Sequence, residues 1–299
     1  MIFIRLMGGL GNQMFQYAFG RRMALMNNTE LVLDQSLLLD KSQPHELVTH
    51  RTFDLEIFNL KSYSWATEDE IFAYNGSPYA SLQKRVIRRI KNLFSPKRLI
   101  IQKYNEFDDE FLSIKGDVCF VGRWQSELFF RDAAAQIKKD FTISDVNNDE
   151  IRSYAARIKD CEAVCLHFRR GDLITSAIYS SSIGALTLDY YTQAINYIRQ
   201  IVVNPVFFIF SDDINWCKRN IALPEQTFYM DDSTAGKKAE GHLYLMQQCK
   251  HFIISNSTYA WWGAWLSANE NKKVIYPKDW YKDKNYYNPT MSSKSWISF

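Results

Sequence analysis

Four stretches of the chain carry residue types that could do chemistry. The first is Val164-Cys165-Leu166-His167-Phe168-Arg169-Arg170-Gly171-Asp172, an apolar run that stops on a histidine, two arginines, a glycine and an aspartate. A guanidinium fork holds phosphate through paired, charge-assisted hydrogen bonds. Gly171 would let the backbone turn tightly where a side chain would obstruct it. Asp172 can orient one arginine and leave the other for a ligand. A surface Arg–Asp pair after a strand has the same spelling, so this stretch takes its meaning from the others.

The second stretch is Pro205-Val206-Phe207-Phe208-Ile209-Phe210, which ends on Ser211-Asp212-Asp213. The third is His251-Phe252-Ile253-Ile254, which ends on Ser255-Asn256-Ser257-Thr258 and runs into the aromatic segment Tyr259–Leu266. Small hydroxyls at a helix start suit an anion, because backbone N–H groups, the positive helix end and side-chain donors converge there. An ordinary N-cap with a core-packed tryptophan helix reads the same way in isolation. The fourth is Gly8-Gly9-Leu10-Gly11-Asn12-Gln13 after the β-rich Ile2–Leu6. Its spacing fits neither G-x-G-x-x-G nor the P-loop, but amides at a helix start can reach into a cleft. The acidic pairs Asp212-Asp213 and Asp231-Asp232 could suggest a metal; adjacent carboxylates point different ways, and helix capping explains them more simply.

The elements that must position these groups alternate between strand-like and helix-like patterns, which argues for α/β layers. Strands are expected at 2–6, 30–34, 118–122, 164–168, 205–210, 251–254 and 274–277, with helices at 14–26, 68–73, 151–160, 189–201, from 214, and 240–249. A helix is also expected where Arg123–Glu127 leaves its strand. Residues 173–184 lack periodicity and read as a flap. The Asn- and Asp-rich Asp140–Glu150 is the expected boundary between halves. His45 and His50 read as exposed loop residues. Residues 84–98 spell a basic amphipathic helix, either packed on the core with a solvated basic face or lying on an anionic membrane surface. The tail from Lys278 is polar and aromatic without a clear pattern.

Composition narrows the class. The chain has 299 residues, 46% of them hydrophobic, enough for one large or two medium cores. A net charge of +3 does not indicate a nucleic-acid partner. Five cysteines without a C-x-x-C pair fit reduced thiols better than a disulfide framework or a zinc site. No signal peptide or apolar span is visible, so a cytoplasmic protein is expected, or one peripheral on the cytoplasmic face of a bacterial inner membrane.

Parallel strands would bring the polar ends at His167–Asp172, Ser211–Asp213 and Ser255–Thr258 to one sheet edge, where arginines, a carboxylate and a hydroxyl-rich helix start make a nucleoside-diphosphate site. The run Gly8–Tyr17, the H-x-R-R-G-D at His167–Asp172, Phe210-Ser211-Asp212-Asp213, and Ser255–Thr258 with Trp261-Trp262-Gly263 together resemble the α-1,2-fucosyltransferase family. The closest likeness is to bacterial members that build O-antigen or other surface glycans. The resemblance implies a GT-B fold, two Rossmann-like halves facing across a cleft, with residues 1–148 on the acceptor side and 149–299 binding GDP-fucose. It implies transfer of L-fucose from GDP-L-fucose to the 2-hydroxyl of a terminal β-galactoside, on an oligosaccharide or lipid-linked glycan, with inversion and without a metal or cofactor.

By the same resemblance Arg169 holds the β-phosphate of GDP, supported by Arg170 and Asp172, and His167 approaches the nucleoside. Asn256, Ser257 and Thr258 contact the diphosphate, Gly9 and Gly11 belong to the donor side, and Asn12 faces the reaction centre. Asp172 is also the candidate base. Gln13, Trp261 and Trp262 are assigned to the acceptor. Guanine should be read by a carboxylate about where His242 stands; the chain departs from the pattern there, and Glu240 is the substitute. Three rival readings remain: a metal-dependent GT-A transferase using Asp212 and Asp213, a non-catalytic glycan-binding module with Trp261, Trp262 and Trp265 as stacking platforms, and a membrane-surface adaptor acting through the basic helix.

Overall fold

A computed structural model describes all residues except 41, 43–49, 76–82, 84–85, 87–89, 91–95, 144–145 and 147. His45 and most of the basic segment 84–98 therefore lie outside the described residues; of that segment's apolar positions Val86 and Ile90 are described, and both are exposed. The chain forms two compact units. The first takes the chain up to Phe141 together with Asn288–Met291, and the second takes Thr142–Tyr287 and Ser292–Phe299.

The first unit is built on strands β1 (Ile2–Arg5), β2 (Leu31–Asp34), β3 (Ser64–Trp65), β4 (Arg98–Ile101) and β5 (Val118–Val121). They form a parallel sheet of order β3-β2-β1-β5-β4. β1, β2 and most of β5 are buried, as the apolar runs of a doubly covered parallel sheet should be. The helix Leu10–Met26 lies close on β1 and β2 at Gly20, where a β-carbon would sit 2.2 Å from Ile4 Cγ1 and 2.8 Å from Leu31 Cδ1. Beside Gly20, Phe19 packs edge-on against Phe120 of β5 and stacks on Trp124 with ring centroids 4.1 Å apart. At the carboxyl edge of the sheet Arg5 Nε donates to Asp34 Oδ2 at 2.6 Å, a buried pair between neighbouring strand ends. In place of a helix directly after Arg123, the chain makes 3-10 turns at Glu127–Phe129 and Arg131–Ala133 before the helix Ala134–Asp140.

The second unit carries β6 (Glu162–Phe168), β7 (Pro205–Ser211), β8 (Thr227–Met230), β9 (His251–Ile253), β10 (Val274–Tyr276) and β11 (Ile297–Ser298). Their order is β11-β10-β9-β6-β7-β8, again parallel. From β6 the chain steps outward to β7 and β8, then returns to the far side of β6 for β9. The order thus reverses between β6 and β9, a switch point of the kind where open α/β sheets bind ligands. The expected flap is two short helices, Gly171–Thr175 and Ala177–Ser182; the Ser176 hydroxyl caps the second by accepting from the Tyr179 N–H. The tail supplies the edge strand β11 and the return segment Asn288–Met291. All five cysteines are free thiols. Among the described residues no helix is long and apolar enough to cross a membrane. Two α/β halves, each on a parallel sheet, are the architecture that the GT-B class requires.

Candidate active site

At the carboxyl end of β6 the two arginines are held by carboxylates from three sequence positions. Arg169 Nη2 donates to Asp172 Oδ1 at 2.7 Å, and its Nη1 lies 3.1 Å from Asp212 Oδ2. Arg170 lies flat over the Trp216 ring, 3.7 Å from its centroid, with Nε 3.5 Å from Asp213 Oδ2. Its backbone N–H donates to Asp212 Oδ1 at 2.8 Å. Asp212 therefore ties the loop after β6 to the end of β7. Gly171 is required by this close approach, since a β-carbon there would lie 2.7 Å from Asp212 Oδ2.

The cluster has two guanidinium groups and three carboxylates, so it is not a simple positive patch. What it offers is an Arg169 fork fixed at both terminal nitrogens by two carboxylates, with further N–H donors on a side chain that is partly exposed. Asp212 and Asp213 are occupied in this network. Asp213 caps the helix Ile214–Asn220 by accepting from the Trp216 N–H at 3.1 Å, in line with the capping role expected of the acidic pair. Among the described residues no group of three or more His, Cys, Asp or Glu is placed to hold a metal ion.

Across the switch point, His167 Nδ1 and Ser255 Oγ lie 2.9 Å apart, joining the end of β6 to the segment after β9. Burial, then the charges of Arg169 and His242, pull the His167 pKa down to about 3. The imidazole is neutral near pH 7 and serves as a hydrogen-bonding group rather than as a general base. Beyond Ser255, Asn256 Nδ2 donates to the carbonyls of Gly184 (2.9 Å) and Trp280 (3.3 Å), while its buried Oδ1 has no partner among the described residues. Ser257 stands at the N-cap of the helix Thr258–Leu266 and makes no side-chain capping bond, so its hydroxyl is not used up by the helix.

Several expected site residues are placed differently. Trp261 and Trp262 are fully buried, packed edge to face at 5.0 Å, and Trp265 completes the cluster, so none is a stacking platform at the surface. Their helix is apolar all round, which by itself calls for burial. Glu240 accepts from the backbone N–H groups of Lys237 (3.1 Å) and Lys238 (2.8 Å), closing the turn that precedes its helix. His242 points inward, with Nε2 3.0 Å from the Asp231 carbonyl and 3.2 Å from Thr234 Oγ1.

In the first unit, Gly8 adopts a left-handed φ of +76°, and a β-carbon there would lie 2.4 Å from Asn12 Nδ2. Gly9 lies against the Arg51 guanidinium, whose Cζ would be 3.6 Å from a β-carbon at Gly9, and Gly11 is buried in the first helical turn. The amides that follow are clasps. Gln13 is fully buried rather than turned to an acceptor: Nε2 donates to the carbonyls of Gly8 and Thr52, both at 2.8 Å, and Oε1 accepts from the Asp54 N–H at 2.9 Å. Gln16 accepts from the Met7 N–H and donates to the carbonyls of Met7 and Gly122, so it joins the loops after β1 and β5. Asn12 Oδ1 accepts from Gln125 Nε2 at 2.8 Å.

Residues that the sequence did not single out are therefore Gln16, Gln125 and Trp216, with Asp212 acting as an arginine holder. Gln16 was accessible to sequence reasoning, being three and four residues beyond Gln13 and Asn12 on a helix. The long-range partners were not.

The family described as "Glycosyl transferase family 11" matches residues 1–299. The Alpha-1,2-colitosyltransferase of Escherichia coli is 30% identical, with 98% of this chain and 97% of that protein covered. The O-antigen biosynthesis glycosyltransferase WbnK of Escherichia coli is 32% identical, with 98% of each chain covered. Human galactoside alpha-(1,2)-fucosyltransferase 1 is 28% identical over 56% of this chain and 47% of its own length. With the match running from end to end, the chain is a glycosyltransferase and belongs to glycosyl transferase family 11.

Proposed function

We propose that the protein transfers L-fucose from GDP-L-fucose to the 2-hydroxyl of a terminal β-galactoside, with inversion from GDP-β-L-fucose to an α-1,2-fucoside. The observation that carries this reading is Arg169, fixed by Asp172 and Asp212 after β6 at the switch point of the second sheet, whose neighbouring strand β9 leads to the hydroxyl-bearing helix start at Ser257. In this reading residues 149–299 bind the donor and residues 1–148 serve the acceptor. The acceptor is a surface glycan, oligosaccharide or lipid-linked glycan, in keeping with the O-antigen role in the name of one relative.

Displacement of GDP passes through an oxocarbenium-like state while negative charge grows on the leaving β-phosphate. Arg169 meets that oxygen, with Arg170 and Asp172 holding the loop. The amides and hydroxyls of Ser257 and Thr258 at the positive helix end take the remaining diphosphate charge, with Asn256 beside them. Groups placed where charge develops stabilise the transition state more than the ground state. GDP leaves as an anion, so the scheme needs neither a general acid nor a metal. His167 is a neutral neighbour of the nucleoside, and Asn12 faces the reaction centre from the loop of Gly9 and Gly11. Asp172 is a weak base candidate because it is already committed to Arg169. Glu240, spent on its own turn, is a weak reader of guanine.

A second reading rests on the colitosyl relative, which is similar over nearly its whole length. Its donor sugar would lack one ring hydroxyl that fucose carries. In either case the enzyme would work in the cytoplasm or on the cytoplasmic face of the membrane, with residues 84–98 as the membrane contact.

The test is GDP release from GDP-L-fucose and from GDP-colitose, with lactose as acceptor, with and without EDTA, for wild type and Arg169→Ala. Turnover of the fucosyl donor that survives EDTA and falls about 10²–10³-fold in the variant is the expected result. Preference for GDP-colitose would move the donor assignment. An unaffected Arg169→Ala would take the leaving group away from this site, and turnover abolished by EDTA would restore the metal-dependent alternative.

A further inference from the structure

We infer that Gln125 is a positioning residue for catalysis: by donating to Asn12 Oδ1 it fixes the Asn12 amide so that Nδ2, and not the oxygen, is the atom turned to the substrate. This rests on the reading that Asn12 faces the reaction centre.

Asn12 lies in the first turn of the helix Leu10–Met26, with its backbone N–H on the Gly9 carbonyl at 2.9 Å. Its Oδ1 accepts from Gln125 Nε2 at 2.8 Å. On the opposite side the amide rests against Gly8, where a β-carbon would lie 2.4 Å from Nδ2 and where the left-handed φ already favours glycine. One end of the amide is thus tied to Gln125 while the other lies over the glycine loop. An amide oriented in this way gives a hydrogen bond from Nδ2. It can stabilise charge on an oxygen or grip a hydroxyl by its lone pair, but it does not relay the acceptor's proton.

Gln125 is itself held against rotation. It is 2% exposed and follows Trp124, a fully buried non-glycine residue at φ +54°. Such a conformation costs energy and persists only where its surroundings enforce it; here the ring is stacked on Phe19. The Gln125 carbonyl accepts from Asn288 Nδ2 at 2.7 Å. Asn288 Oδ1 in turn accepts from the N–H and hydroxyl of Thr290, whose Oγ1 accepts from the Phe107 N–H. The segment Asn288–Met291, which belongs to the first unit although the chain on either side of it belongs to the second, therefore grips the loop that sets Asn12.

The experiment compares steady-state kinetics of wild type, Asn12→Ala, Gln125→Glu and Gln125→Met between about pH 5 and pH 8, where a carboxyl near its ordinary pKa begins to protonate at the acid end. Thermal midpoints are measured alongside. A glutamate carboxylate has no hydrogen to give, so it would draw Asn12 Nδ2 toward itself and turn the oxygen outward. A protonated carboxyl could donate to Oδ1 again. The expected result is a kcat about 10-fold or more below wild type for Gln125→Glu at the alkaline end, with the donor KM within about threefold. Its kcat relative to wild type should climb as pH falls. Gln125→Met, which cannot titrate, should show a loss independent of pH. Asn12→Ala should lose at least as much kcat as either.

A Gln125→Glu deficit that is independent of pH and equal to that of Gln125→Met would reduce Gln125 to a packing role and overturn the inference, with Asn12→Ala still impaired and the functional reading intact. A fully active Asn12→Ala would overturn the placement of Asn12 and the inference with it. Should Gln125→Glu fail to fold, a Gln125→Met that keeps the wild-type kcat overturns the inference by itself.

Discussion

The space a side chain would fill at Gly171 is taken by Asp212: a β-carbon there would lie 2.7 Å from Asp212 Oδ2 and 3.2 Å from its Cγ. The same carboxylate faces Arg169 Nη1 and accepts the Arg170 N–H. Gly171→Ala should therefore push Asp212 off both arginine contacts and leave the Arg169 fork held by Asp172 alone. We expect GDP affinity to fall about tenfold, the size of one charge-assisted hydrogen bond of ~1.5 kcal/mol. The thermal midpoint should move by only a few degrees, because the contact is at the surface of the unit. Calorimetric titration with GDP reads the first quantity and differential scanning the second; unchanged affinity would mean that Asp172 suffices to orient Arg169.

How much of this was legible beforehand follows from what kind of signal each part carries. β6 and β7 are continuous apolar runs ending on polar residues, because parallel strands covered on both faces have no alternation to hide them, and their register follows from adjacency. The two-residue strands Ser64–Trp65 and Ile297–Ser298 are too short to show a period. The residues 173–184 looked structureless because two one-turn helices cannot show 3.6-residue periodicity. Arg169 with Asp172 could be read at a spacing of three, whereas Asp212, forty-three residues away, reaches Arg169 only through the β6–β7 pairing. Amides were the hardest class. Asn12, Gln13 and Gln16 share one helix start, and nothing local tells an amide that braces a loop from one that meets a ligand.

Gln13 illustrates the bracing case. Gln13→Ala would strand the carbonyls of Gly8 and Thr52 and the N–H of Asp54 around a fully buried position. An unsatisfied buried polar group costs about 1–3 kcal/mol, so we expect a loss of about 2–3 kcal/mol in urea unfolding, partly relieved by water. Gln13→Glu should do no better, since a carboxylate cannot donate to either carbonyl. A loss below about 0.5 kcal/mol, the range of ordinary surface substitutions, would show that the loop at Thr52–Asp54 is not held by this side chain.

The tryptophan cluster separates a core role from a glycan-stacking one. Trp262 is fully buried between Trp261 and Trp265. Trp262→Ala should destabilise by about 3–5 kcal/mol, as large aromatic truncations do. The milder Trp262→Phe should lose stability while leaving the acceptor KM within about twofold of wild type, because no face of the ring is offered to a sugar. A selective rise in acceptor KM with normal stability would return the cluster to the binding surface.

Stability below neutral pH should carry the mark of His167. Burial and the neighbouring Arg169 and His242 hold its pKa at about 3 in the folded protein, against an ordinary value of 6.5. Between these values the unfolded chain binds a proton that the native state refuses, so stability is complete above about pH 6.5 and declines as pH falls toward 3, by up to ~1.4 kcal/mol per pH unit for one proton. His242 and His251 are also shifted down by burial and add to the same trend, so the wild-type curve alone does not isolate His167. His167→Asn does. It keeps an amide atom near the position where Nδ1 meets Ser255 Oγ and removes the titration. The variant should be the less stable protein at pH 7, with a shallower acid limb, so that its deficit narrows as urea unfolding is repeated at lower pH. Curves that stay parallel down to about pH 4 would show that His167 takes up its proton in the folded state as readily as in the unfolded one, and its neutrality beside Arg169 would have to be abandoned.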